Sequence, residues 1–92
     1  MEYIITFNNT NSAIKSEQLL LAEGLHVGVM PLPSQIRAGC GICLRLTPEE
    51  IGVALRILDK NNIGDTGLFS RTALDNSYIY SEVTDRSKIS IN

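Results

Sequence analysis

From Glu2 to Phe7 the chain is β-branched and aromatic, with Tyr3, Ile5 and Phe7 at period two, and it then meets the polar stop Asn8-Asn9-Thr10-Asn11. This predicts a first strand followed by a helix N-cap. Behind the cap, Ala13, Ile14, Glu17, Leu20, Leu21 and Gly24 recur at three- and four-residue steps, the spacing of one helical face. Gly24 suits the left-handed residue that ends a helix, and Leu25, Val27 and Val29 then alternate with His26, Gly28 and Met30 as a second strand. By that parity His26 faces away from the core.

Pro31-Leu32-Pro33 removes two ladder donors, so a loop is expected from there to Gly39. Ile42, Leu44 and Leu46 against Cys43 and Arg45 predict a third strand. Thr47-Pro48-Glu49-Glu50 reads as a capping box with proline in the first helical position, which accounts for the paired glutamates without acid/base chemistry. Ile51, Ala54, Leu55 and Leu58 give the apolar stripe of the second helix, and Asn61-Asn62 with Gly64 closes it. Two segments, Gly67 to Arg71 and Tyr78 to Val83, compete for the last strand.

The resulting order, β-α-β-β-α-β, predicts an α+β fold of the ferredoxin-like, split βαβ kind: a four-stranded antiparallel sheet, two helices on one face, the other face open, and an extra C-terminal strand if both late segments pair. Residues 1–84 would make a single domain and 85–92 a polar tail that frays or pairs with something.

Composition narrows the function classes. An apolar fraction of 43% supports a core, and ten acidic against eight basic side chains leave a net charge of −2, so no overall positive field draws nucleic acid or anionic lipid. No apolar run approaches the roughly 20 residues that span a bilayer, and the acidic start is unlike a secretory signal. The expectation is a cytoplasmic protein with no nucleic-acid or membrane partner. Two cysteines and one histidine cannot complete a four-ligand metal site in one chain. A thiolate metal site would need two Cys40/Cys43 pairs meeting across a dimer axis, so no metal or other cofactor is assigned.

Chemistry concentrates in Arg37-Ala38-Gly39-Cys40-Gly41-Ile42-Cys43. A thiol attacks as thiolate, and between Glu23 and Glu49 no acidic residue opposes Arg37 and Arg45. Gly39 and Gly41 let the backbone bend around Cys40 and turn amides toward an anion. These features suit a cysteine that attacks sulfane sulfur and holds it as a persulfide, with Arg37, Gly39 and Gly41 binding the anion. They suit equally a small residue packed at the sheet edge. Cys40 and Cys43 could act as a redox pair only if the chain turns at Gly41, because three strand steps cover roughly 10 Å and change face. An unpaired terminal strand would also allow an interaction or ligand-sensing module, including a homodimer.

Tyr3-Ile4-Ile5-Thr6-Phe7, Ala13 with Glu17 and Leu20-Leu21, then Gly24, Pro31-Leu32-Pro33, Ile36-Arg37 and Cys40-Gly41 in that order resemble the selenium/sulfur carrier-like family of small bacterial proteins, over roughly residues 3 to 71. The resemblance implies a part in sulfur relay or selenium delivery, with the family's Cys-Gly element on Cys40-Gly41, a cysteine desulfurase-type donor and an acceptor enzyme. Cys43 and the continuation through Tyr78-Ile79-Tyr80 depart from the family pattern. The added thiol would then be a candidate to resolve a persulfide on Cys40.

Overall fold

The computed structural model describes residues 1–36 and 40–89. Its elements are β1 (Glu2–Thr6), α1 (Thr10–Ala22), β2 (Gly28–Pro31), β3 (Ile42–Leu46), α2 (Ile51–Lys60), β4 (Gly67–Leu74) and β5 (Ser77–Glu82), followed by a 3-10 turn at Arg86–Lys88. The sheet runs β2-β3-β1-β4-β5 with every neighbouring pair antiparallel. This is the split βαβ order with a fifth strand added beside β4. Both late segments are therefore strands, joined at Asp75, whose φ of 54° is a left-handed conformation that a short polar side chain tolerates.

The helices begin and end by local chemistry. Asn9 caps α1, its Oδ1 accepting from Ser12 N at 2.8 Å. At the other end Gly24 takes φ +82°, Gly24 N donates to Leu21 O at 3.0 Å and Leu25 N to Leu20 O at 3.1 Å, a Schellman motif whose Leu20 and Leu25 both enter the core. Helix α2 repeats the device: Asn62 takes φ 60°, Asn62 N donates to Asp59 O and Ile63 N to Leu58 O at 2.9 Å. Of the expected close at Asn61-Asn62 and Gly64, Asn62 is the left-handed residue.

The start of α2 differs from the expected capping box. Thr47 to Glu50 form a turn in which Ile51 N donates to Thr47 O at 3.0 Å, and the regular helix runs from Ile51. Glu50 does not cap with its side chain; its Oε1 accepts from His26 N at 3.0 Å, tying the entry of β2 to the start of α2. His26 accordingly lies ahead of β2 and not within a strand. Its side chain is exposed, with Nδ1 3.4 Å from the same carboxylate oxygen.

The inward stripe of α1 also differs. Ala13, Ser16 and Leu20 are buried, while Ile14 and Leu21, expected on the core face, are exposed. Two stripes overlap on this helix, and the one holding the small residues Ala13 and Ser16 faces the sheet, where it permits closer backbone approach. Strand β2 starts later than expected and takes in Pro31, opposite Ile42. An edge strand tolerates that proline because its outward side needs no donor.

On the helix side the core joins Ile5, Leu44, Leu46 and Leu68 of the sheet to Leu20, Ile51, Ala54 and Leu58. Ile89 joins it too, so residues 85–89 return to the body, and Arg86 Nη2 donates to Thr66 O at 2.7 Å. The second face, expected to be open, is covered over part of its area. Leu32 and Ile36 of the proline loop fold across it, and Ile4, Ile36 and Cys43 form a buried cluster ringed by Met30, Phe69 and Tyr80. Burying an isoleucine such as Ile36 contributes about 1.5–3 kcal/mol, enough to hold the loop down. Among the described residues no helix is long and apolar enough to cross a membrane.

Candidate functional site

The proline loop delivers the chain back to the sheet at Cys40. Ile36 N donates to Pro33 O at 3.0 Å, and Leu32 N donates to Gly41 O at 2.9 Å, which prolongs the β2–β3 ladder by one bond beyond β3. Cys40 and Gly41 form a bend immediately before β3. Cys40 is half-buried, packs against the helix-side core and donates its thiol proton to Ile42 O at 3.2 Å. Gly41 is exposed, its φ is not left-handed, and a Cβ there would meet open space, so neither crowding nor backbone conformation demands glycine at this position. Arg37 and Gly39, expected to bind the anion, lie outside the described residues.

Cys43 is placed quite differently. It is 0% exposed on the second face, beneath Ile36, and its Sγ lies 3.7 Å from Met30 O and 3.8 Å from Pro31 O. Burial pushes its thiol up to about 11; Cys40 adds to the shift and the Arg71 guanidinium opposes it. The strand parity that separates the faces therefore also separates the two thiols, and neither is in a disulfide. Among the described residues no three His, Cys, Asp or Glu side chains gather as a metal site.

The rest of the second face carries charge: Arg45, expected to favour the Cys40 thiolate, lies on this face and not on that of Cys40, together with Glu2 and Arg71, which pattern reading did not single out. Arg71 is nearly buried, and its Nη2 and Nε donate to Glu2 Oε1 at 2.5 and 3.1 Å. Its guanidinium also stacks on Tyr78, 4.0 Å from the ring centroid. Burial alone would lower the Arg71 guanidinium, but hydrogen bonds to Glu2 and Tyr80 outweigh it and raise it above its usual value. Glu2 Oε2 lies 3.4 Å from Arg45 Nε, so one carboxylate serves two arginines. The signal was present: Glu2, Arg45, Arg71 and Tyr80 share the parity of Cys43, but their convergence depends on the pairings Arg71↔Glu2 and Arg71↔Tyr80, which only strand order reveals.

Comparison with known proteins bears on the same segment. The chain is 35% identical over 46 residues to "Uncharacterized protein YtiA" of Escherichia coli (strain K12), an alignment that takes in 50% of this chain and 54% of that protein. The chain thus matches about half the length of its curated relative. No solved structure matches it. A family described as "Putative Se/S carrier protein-like" matches residues 2–70, from β1 into β4, and so includes the proline loop, Cys40 and Cys43 while stopping short of β5. With three-quarters of its length inside that match, the chain belongs to this Se/S carrier-like family.

Proposed function

We propose that the protein is a small carrier of sulfane sulfur or selenium that works through Cys40. The observation that supports this reading is a half-buried thiol at a bend, joined to neither Cys43 nor a metal ligand set among the described residues, within the segment matched by the carrier-like family. A donor persulfide, R–S–S⁻, presents its terminal sulfur; the Cys40 thiolate attacks that atom, the donor thiolate R–S⁻ leaves, and Cys40–S–S⁻ remains. A perselenide donor transfers selenium by the same displacement. An acceptor thiolate then attacks the terminal atom and returns Cys40 as thiolate. Each transfer moves one zero-valent chalcogen, with no outside oxidant. Arg37 and the amides near Gly39 and Gly41 are proposed to balance the charge of the adduct, and the sulfur must turn from Ile42 O before it attacks. The partners are a cysteine desulfurase-type donor and an acceptor enzyme, both cytoplasmic, and the protein is a covalent carrier more than a catalyst in its own right.

The test is incubation with a desulfurase and cysteine followed by intact mass. The expected result is an increment of about one sulfur on the wild type that Cys40→Ala loses and Cys43→Ala keeps. No increment, or an equal one on Cys40→Ala, overturns the proposal. A second reading, an interaction module in which Cys40 is structural, is favoured by β5: its outer edge carries no proline or lysine, and Tyr78 and Ile79 are exposed on it. In that reading two copies pair along β5 as a homodimer. Light scattering of the wild type and of Ile79→Pro distinguishes it, since proline at a ladder position should return a dimer to monomer.

A further inference from the structure

At the opposite end of β3 from Cys40 the sheet edge comes apart. Pairing of β2 with β3 begins only at Gly28↔Arg45, so residues 25–27 splay away from Leu46 and Thr47. The splay opens a cleft of about 380 Å³, with Leu21, Leu25, Val27 and Leu46 on its apolar side and Glu2, His26, Arg45 and Thr47 on its polar side, closed by Gly28. That volume lies within the range of about 300–1,000 Å³ in which small-molecule pockets fall.

The walls differ in chemistry. Leu25 and Leu46 are buried and make an apolar floor. Above it the Arg45 guanidinium lies flat across Gly28, so close that a Cβ at that glycine would fall 2.8 Å from Nη2. Arg45 Nε faces Glu2 Oε2 at 3.4 Å, and among the described residues its two Nη atoms have no partner. Glu2 is already committed through Oε1 to Arg71, so the cluster of two guanidiniums and one carboxylate keeps one positive charge. The other carboxylate nearby, Glu50, is turned to His26 N and Nδ1.

A planar fork of donors beside an apolar floor recognises a planar acid with an apolar body. We propose that this cleft binds a small organic carboxylate, its two oxygens on the Nη atoms of Arg45 and its short apolar body on Leu25, Val27 and Leu46. Inorganic phosphate would satisfy the guanidinium and leave the floor bare. The site stands roughly 15 Å from Cys40 along the strand and is independent of sulfur loading there.

The experiment is an amide NMR titration of the whole chain with three probes: isovalerate, inorganic phosphate and the neutral isovaleramide. Isovalerate is expected to shift Val27, Gly28, Arg45 and Leu46 saturably with a Kd on the order of 1 mM, and phosphate and the amide to bind at least about tenfold more weakly. Arg45→Gln should lose at least about tenfold in isovalerate affinity. Gly28→Ala, which pushes the guanidinium aside, should do the same from the opposite wall, with the remaining amide spectrum of each variant reporting an intact fold. Sulfur loading of Cys40 in Gly28→Ala should equal that of the wild type, so failure of this site and failure of the carrier reading give different results. No saturable shift with isovalerate, equal binding of the amide or of phosphate, or unchanged affinity in Arg45→Gln overturns the proposal.

Discussion

Cys40 and Cys43 stand three residues apart on one strand approach, yet they occupy two environments. Cys40 sits at the bend, half-buried against the helix-side core, with its thiol on the carbonyl of Ile42. Cys43 is one step inside β3 on the other face, sealed by Ile36, with its thiol raised to about 11. The lesson concerns what a Cys-x-x-Cys spacing means on a strand: odd spacing sends the side chains to opposite faces, and whatever covers each face decides its chemistry. Here the sheet itself separates the two sulfurs. Were the proposed persulfide to form on Cys40, Cys43 would lie on the opposite face of the sheet from it.

The largest expected effect is kinetic. With iodoacetamide near neutral pH, followed by mass spectrometry of the peptides, Cys40 should alkylate at least about 100-fold faster than Cys43, because a thiol raised to about 11 is roughly one part in 10⁴ ionised at pH 7 and the Cys43 sulfur is closed off from solvent. In denaturant the two rates should converge. Equal rates in the folded protein would break the comparison. Removing the cover tests its cause: Ile36→Ala should cost about 2–4 kcal/mol in chemical denaturation and raise the Cys43 rate several-fold while leaving that of Cys40 nearly unchanged.

How much of this was legible in the chain depends on the range of the interaction responsible. Strand and helix order was readable because Tyr3/Ile5/Phe7, Ile42/Leu44/Leu46 and Ile51/Ala54/Leu58 carry their periods locally, and the helix ends at Asn9 and Gly24 are set by residues within one turn. The face of α1 was not, because Ile14 and Leu21 match the period as well as Ala13 and Ser16 do, and only the neighbouring elements choose between them. The capping box failed for a similar reason: Glu50 is drawn to His26, 24 residues away. Of the candidate site, the separation of the thiols followed from strand parity, but the burial of Cys43 did not, since it comes from Ile36 folding over a face that the ferredoxin-like pattern leaves bare.

A pH dependence sharpens the difference further. Burial holds the Cys43 thiol near 11 against its ordinary 9.0, so above about pH 9 the unfolded chain loses a proton that the native state keeps. Stability contributed by the neutral buried thiol is present below pH 9 and lost as pH rises through 11, by an amount on the order of 2–3 kcal/mol. Urea unfolding at pH 8.5 and pH 11 should show that loss in the wild type and in Cys40→Ala, and a shallower loss in Cys43→Ala. An undiminished slope in Cys43→Ala would assign the effect to other groups.

The smallest effect, and the one most specific to packing, is the cost of exchanging sulfur for oxygen. Cys43→Ser places a hydroxyl where the nearest carbonyls, Met30 O and Pro31 O, lie 3.7 and 3.8 Å from the sulfur. The C–O bond is shorter than C–S and an O–H···O bond must close to about 2.8 Å, so the hydroxyl cannot reach either oxygen and remains buried without a partner, at about 1–3 kcal/mol. Cys40→Ser keeps a carbonyl already 3.2 Å away and an approach to solvent, so its cost should stay within about 0.5 kcal/mol. Comparable costs for the two serines, measured by denaturation under one set of conditions, would mean that Cys40 is sealed as tightly as Cys43, and the carrier chemistry proposed for it would lose its structural basis.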